Sequence, residues 1–495
     1  MTAAAVNDVD VVVGVMLLGC MAFQLSLFYL VNHHDSDIKE YSWHTISHTI
    51  SIFCSVVLFN GMDGLLDYYF VGNSHYVWWR IVWGFLELLI FLLLLQFGMW
   101  FSAGLASDDK KREFMLEVDH QTHHQAKSCS LLLAHITAFA SIHAWGQVQE
   151  LFSDSIWMTF MMVPISFGVM MTLFVVTNHY RERENYKDGR KDRWETLWDS
   201  EVEEAENDVM GLTVSYLITR VLWHAIRGSL PDIHNHEHHG EEHTHLQNLQ
   251  LVCGSLWAML SMAFLVYRFK TSSNPHSQHD GAAAGATQAQ PASTQEEEEN
   301  NLRERILCSL HVVSSMTFAW CLLYATEWEL RLMPLGRKDG VSMRVLVSII
   351  VSVVAFVMIF VLDKLADSSA TSDHVDQVII NVIFGLGLMV GFSWEQAFHS
   401  GVAAIELSLQ FSEATQPWMQ MGMAMLLVGI VTPAWKWYIL PQTLAHHHEE
   451  PPTGRSGIMS RHGSIAVLNK TRWSMCLIGQ DGILSARRRS HAHVD

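Results

Sequence analysis

The sequence predicts an all-α fold, a polytopic transmembrane helix bundle of about eleven spans. Three observations predict it. Half of the 495 residues are apolar and only 16% are charged, against roughly 25% in soluble domains. The net charge of −19 sits in short runs, which leaves long intervals almost free of charge. Those intervals recur at the length of about twenty residues that crosses a bilayer core, near 9–32, 43–70, 78–106, 128–151, 155–178, 209–230, 247–269, 305–326, 342–362, 376–407 and 417–440.

The first interval, Val9 to Val31, lacks a basic leader and a small-residue cleavage site, so it is expected to stay as an anchor. The ten that follow alternate in character. Those starting near 43, 128, 209, 305 and 376 carry ionisable side chains, and those between them are almost purely aliphatic, aromatic or Met, with Glu87 the main exception. The pattern predicts one initial helix followed by five tandem helical hairpins. Lipid accepts the apolar helices at no cost, whereas the polar ones must turn inward. Polar inner helices and apolar outer ones follow.

Each polar span carries a stripe at helical spacing. The first has His44, His48, Ser51 and Ser55, with Asn60, Asp63 and Asp67 toward its far end. The second aligns His143, Gln147 and Glu150, with His135 above. The third aligns Thr213, Arg220, His224 and Arg227, and the fourth His311, Ser315 and Glu329. The fifth aligns Asn381, Glu395, His399 and Glu406. Arg220 and Glu395 fall at similar depth, and a lone charge in hydrocarbon is costly, so these two are expected to pair.

Lys and Arg concentrate in alternate loops, which predicts a non-cytoplasmic N-terminus and a cytoplasmic C-terminus. Arg331, Arg337 and Lys338 break the alternation. Within 181–208, Trp194, Leu197, Trp198 and Val202 recur at helical spacing, as in an amphipathic helix at the interface or one packed on the bundle. Residues 271–304, rich in Ala, Gly, Gln and Ser before an acidic run, read as a disordered cytoplasmic linker. It separates a seven-span portion (1–270) from a four-span portion (305–440), and 441–495 reads as a basic cytoplasmic tail.

Histidine titrates near neutral pH and carboxylates exchange protons and attract cations. A His, Glu and Asp interior therefore points to a cation channel or secondary transporter, with protons the leading candidate. Glu395 and His399 would be central, and Glu395→Gln is expected to abolish pH-dependent flux. The bilayer and a small cation are the expected partners, with no nucleic acid. The loop bearing His234, His236, His238, His239, His243 and His245 is a weak candidate for loosely held zinc, the alternative being a divalent-metal transporter. No cofactor is otherwise expected.

His44-x-x-x-His48, His120-x-x-His123-His124 and His234-x-x-x-His238-His239 resemble the three histidine boxes of membrane desaturases and hydroxylases. That resemblance implies a di-iron oxygenase with the boxes on one side of the membrane, whereas the charge rule puts the third box opposite the other two. A non-transporting sensor or scaffold is the remaining alternative. Nucleotide-binding and nucleophile motifs are absent, so the balance is against an enzyme.

Overall fold

The structure, a computed structural model, describes residues 8–72, 76–106, 120–185, 192–231, 244–273, 294–332, 341–366, 373–409 and 415–445. Those residues are 93% helical and contain no strand. Eleven long helices run in chain order. They are α1 (Asp8–Val31), α2 (Ser36–Leu66), α3 (Val77–Ser102), α4 (His120–Glu150) and α5 (Ile156–Asn185). After them come α6 (Arg193–Arg227), α7 (His245–Ser273), α8 (Thr294–Leu332), α9 (Val341–Ala366), α10 (Asp373–Leu409) and α11 (Gln416–Ala434). Wide π-helical turns extend α2 over Asp67–Val71 and α11 over Trp435–Ile439, and a short α12 (Leu440–Ala445) follows.

Ten of these helices are long and apolar enough to cross a membrane. The protein is an integral membrane protein with a lipid-facing belt, to which the outer helices contribute Leu93, Phe97, Trp157, Leu260, Phe264, Val357, Ile430 and others, all exposed.

The five polar helices α2, α4, α6, α8 and α10 close into a ring in which each packs on the next and α10 returns to α2. They run the same way, since the starts of α4 and α6 meet through Lys127 and Glu204 and their ends through Glu150 and Arg220. Burial follows polarity. In the spanning stretch, 78% of α4, α6 and α10 and 61% of α8 is buried, against 17–44% of the odd-numbered spans α3 to α11. Helix α2 is the exception at 39%, because its last turns are open.

The hairpin order of the chain does not set the packing. Each outer helix lies chiefly on the inner helix that follows it: α3 on α4, α5 on α6, α7 on α8, α9 on α10, and α11 back on α2. Small residues permit the close approaches. A Cβ on Gly84 would stand 3.4 Å from Ala144 Cα of α4, and one on Gly391 of α10 would stand 3.4 Å from Thr49 Cα of α2. Helix α1 packs outside, on α9 and α2.

Two loop expectations take a different form. The amphipathic stretch is not a separate interfacial helix but the first turns of α6. A capping box between Asp192 and Glu195 starts it, and Trp194, Trp198 and Val202 are buried against the bundle. Helix α8 begins at Thr294, inside the stretch read as linker, while 274–293 and the tail beyond 445 lie outside the described residues.

Candidate functional site

Among the described residues, the ionisable groups do not line one central channel. Between α6, α8 and α10 the space is filled by aromatic rings. Trp320 stacks on Phe392 at 4.2 Å and meets Tyr216 at 5.3 Å, and Trp223 packs on Tyr324 and Trp328 at 5.3 and 4.7 Å. Among the described residues, one set of titratable groups collects along the seams of α2, α3, α4 and α6.

At the C-terminal end of the ring, Asp63 of α2, Glu87 of α3 and His143 of α4 converge, with their ligand atoms all within 4.8 Å. His143 Nδ1 is 3.3 Å from Asp63 Oδ1 and 3.9 Å from Glu87 Oε2. Its Nε2 lies 2.7 Å from Gln147 Nε2, one turn on. The amide N–H donates there, so in the neutral ring Nδ1 carries the hydrogen and points at the carboxylates. The group opens on a small cleft of about 30 Å³ whose wall also includes Asp67, Val71, Arg80 and Trp83. Asp67 and Val71 bound the π-helical turn, an irregularity frequent at functional sites.

Toward the N-terminal end, His48 and His135 meet edge to face at 6.1 Å, and His44 stacks beneath His48 at 6.4 Å. His135 Nδ1 is 2.8 Å from the Leu131 carbonyl and 2.9 Å from Ser51 Oγ. The carbonyl can only accept, so Nδ1 bears the hydrogen and Nε2 keeps the lone pair. His48 Nδ1 is buried without a hydrogen-bond partner. The charges in reach of His48 are Lys127 and Glu204. Lys127 bridges to Glu204 at 2.5 Å and Glu201 at 3.6 Å, joining the starts of α4 and α6.

His135 and His143 are separated by roughly 12 Å along α4. Phe59, Leu88, Phe91, Ile136, Ala140 and Ala144 form a compact apolar cluster in that interval, and the Phe59 ring abuts His143 at 5.9 Å. Two polar groups are thus divided by an apolar plug.

The other expected residues go elsewhere. Arg220 does not take Glu395 as its partner. Its nitrogens are held by Glu150 at 2.9 Å, by the Gly146 carbonyl at 3.0 Å, by Gln149 Oε1 at 3.3 Å and by the Pro231 carbonyl at 2.5 Å. The reason is proximity, because α6 packs on α4 and not on α10. Glu395 has Arg344 of α9 as its nearest influential cation, while His399 bonds to Asn60 of α2 at 3.1 Å. The two residues face different neighbours although one turn apart. His311 bonds to Asn381, His224 lies 3.3 Å from Thr159 Oγ1, and Arg227 sits over the Trp223 ring. The Glu406 side chain lies outside the described residues, as do His234, His236, His238, His239 and His243. His245 is described and lies 3.4 Å from Glu329.

The di-iron resemblance finds no assembled ligand set. Among the described residues the one convergent group of three His, Cys, Asp or Glu is Asp63, Glu87 and His143, which includes no residue of the histidine boxes, and the third box lies outside the described residues.

Sequence reasoning missed Glu87, Lys127, Glu201 and Glu204 as members of this system, whereas Gln147 was already on the stripe with His143. For Glu87 the signal was present, as a single carboxylate in an otherwise aliphatic span. It also missed Glu206, fully buried between Arg181 and Arg305 and bonded to both. No family model, no curated protein and no solved structure matches the chain.

Proposed function

We propose that the protein passes protons across its membrane along the α2–α4 seam. The observation that carries this reading is the order of groups on that seam: Glu204 with Lys127, then His48 and His135, then the apolar plug, then His143 with Asp63 and Glu87. Imidazoles relay protons because one nitrogen accepts while the other gives. Carboxylates buried in a span are expensive to keep charged, which suits them to take up and release a proton.

The plug has a role in this scheme. An apolar constriction wets only transiently, so it interrupts a water chain without closing the path by bulk. With the orientation given by the charge rule, the cleft at Asp63, Glu87 and His143 faces away from the cytoplasm and the Lys127–Glu204 bridge faces it. Arg220, Glu395 and His399 then serve as interhelical connectors.

The test is proton flux into liposomes holding the purified chain, read by a pH-sensitive dye under a potassium-set voltage. Glu87→Gln and His135→Ala are expected to cut flux at least tenfold, and Glu395→Gln to leave it within about twofold. Wild-type flux in both of the first two variants, folded and inserted, would move the pathway off this seam.

A further inference from the structure

We infer that Asp63, Glu87 and His143 form a binding site for one divalent transition-metal ion of the zinc class, entered through the cleft at the C-terminal end of the ring. The donor set is one imidazole and two carboxylates, with the ligand atoms within 4.8 Å of one another. In a tetrahedral zinc site with bonds of ~2.0–2.1 Å, neighbouring donors stand roughly 3.3 Å apart. His143 Nδ1 and Asp63 Oδ1 are already at 3.3 Å, and Glu87 Oε2 at 3.9 Å needs only a small approach.

A second observation points to a ligand independently. The Glu87 side chain is 5% exposed, its Oε1 has no hydrogen-bond partner, and it lines the cleft. A carboxylate oxygen buried in an apolar span without a donor is costly to leave charged, and a bound cation satisfies it where a proton otherwise must. The imidazole is also braced from behind. Metal binding at Nδ1 moves the ring hydrogen to Nε2. A turn of the Gln147 amide then presents Oε1, which otherwise has no partner, to accept it.

Charge and ligand type narrow the ion. Asp67 and Arg80 at the cleft wall carry opposite charges, so the two site carboxylates, when ionised, present the negative charge that balances a dication. Calcium and magnesium seek six or more oxygen ligands, whereas an imidazole with carboxylates suits zinc, cobalt or manganese. The fourth position faces the cleft and is left for water. Because the trio is also the proton-accepting end of the proposed path, bound metal displaces the proton and blocks flux. The block rests on the transport reading, but the binding does not.

Cobalt(II) titration of the full chain in detergent tests the site, since a tetrahedral ion with N and O ligands gives a visible absorption band. Glu87→Gln and Asp63→Asn, each eluting as the wild type does, are expected to lose one bound equivalent and its band. Replacing His234, His236, His238, His239, His243 and His245 by Ser is expected to keep both. An undiminished equivalent in the two carboxylate variants, or its loss in the loop variant alone, overturns the site. Zinc added on the cleft side of liposomes is read separately. Flux that persists under zinc while the cobalt band is present overturns the block and leaves the site standing. A chain with no flux at all overturns the transport reading, and the band then decides the site alone.

Discussion

Arg181 and Glu206 meet at 2.8 Å, with the arginine side chain 2% exposed and the carboxylate wholly enclosed. Arg305 takes the other carboxylate oxygen, while Gln96 and Thr177 donate at 2.8 Å each. One side chain thereby joins α3, α5, α6 and α8. Removing its charge takes from buried Arg305 its carboxylate partner and leaves Arg181 with Asp199 alone as carboxylate, at 3.2 Å, so Glu206→Gln is expected to destabilise the fold by about 3–5 kcal/mol. Thermal unfolding in detergent checks this. A melt within a degree of the wild type would show that the two arginines find other partners.

The partner choice of Arg220 is open to a double-mutant cycle. Arg220→Met with Glu150→Gln is expected to show a coupling of about 1–3 kcal/mol in unfolding free energy. Arg220→Met with Glu395→Gln is expected to be additive to within about 0.5 kcal/mol. The reverse ranking would restore the pairing that helix depth alone suggests.

The plug yields a prediction of opposite sign from the titratable sites. Phe59→Ala removes the ring that abuts His143 and widens the apolar interval. Proton flux is expected to rise about tenfold, equivalent to roughly 1.4 kcal/mol off the barrier, even as the truncation costs about 3–5 kcal/mol of stability. Flux that falls in parallel with stability would show that Phe59 only packs.

Ring closure between α6 and α8 depends on Gly211. A Cβ there would run into Val312 Cγ1 and stand 2.9 Å from Met316 Sδ. Gly211→Ala is expected to cost about 1–3 kcal/mol, measured by thermal unfolding. The same change at Gly422, where nothing lies within 4 Å, is expected to be neutral.

The sequence made radial position legible because solvent enforces it: helices rich in His, Glu and Arg cannot face lipid, and they form the ring. It also exposed His143 and Asp63, whose helical spacing pointed them inward. Partners were less legible. Arg220 has carboxylates at compatible depth on two helices, and only the packing of α6 on α4 selects Glu150. Lys127, Glu201 and Glu204 fall outside the spans near 128–151 and 209–230 because α4 and α6, at 31 and 35 residues, outrun the roughly twenty a bilayer core requires. Hydropathy marks the core-length window and hides the charged turns that continue beyond it. Glu87 was visible as an oddity, but its meaning came only when α3 packed on α4 instead of its hairpin neighbour α2.

That offset packing joins two helices far apart in sequence, α2 and α11. Helix α2 receives its cover from α11, where Trp435 Nε1 donates to Ser47 Oγ at 2.9 Å and Trp418 reaches Tyr69 at 3.0 Å. A ribosome delivers α2 before α3 to α10, and α11 only after them. Until α11 emerges, Ser47 and the outer face of α2 stand without that cover, although the ring of polar helices can already close through α10. Cover of α2 accordingly waits on α11, and the interval before α11 emerges is when insertion chaperones would have something to guard.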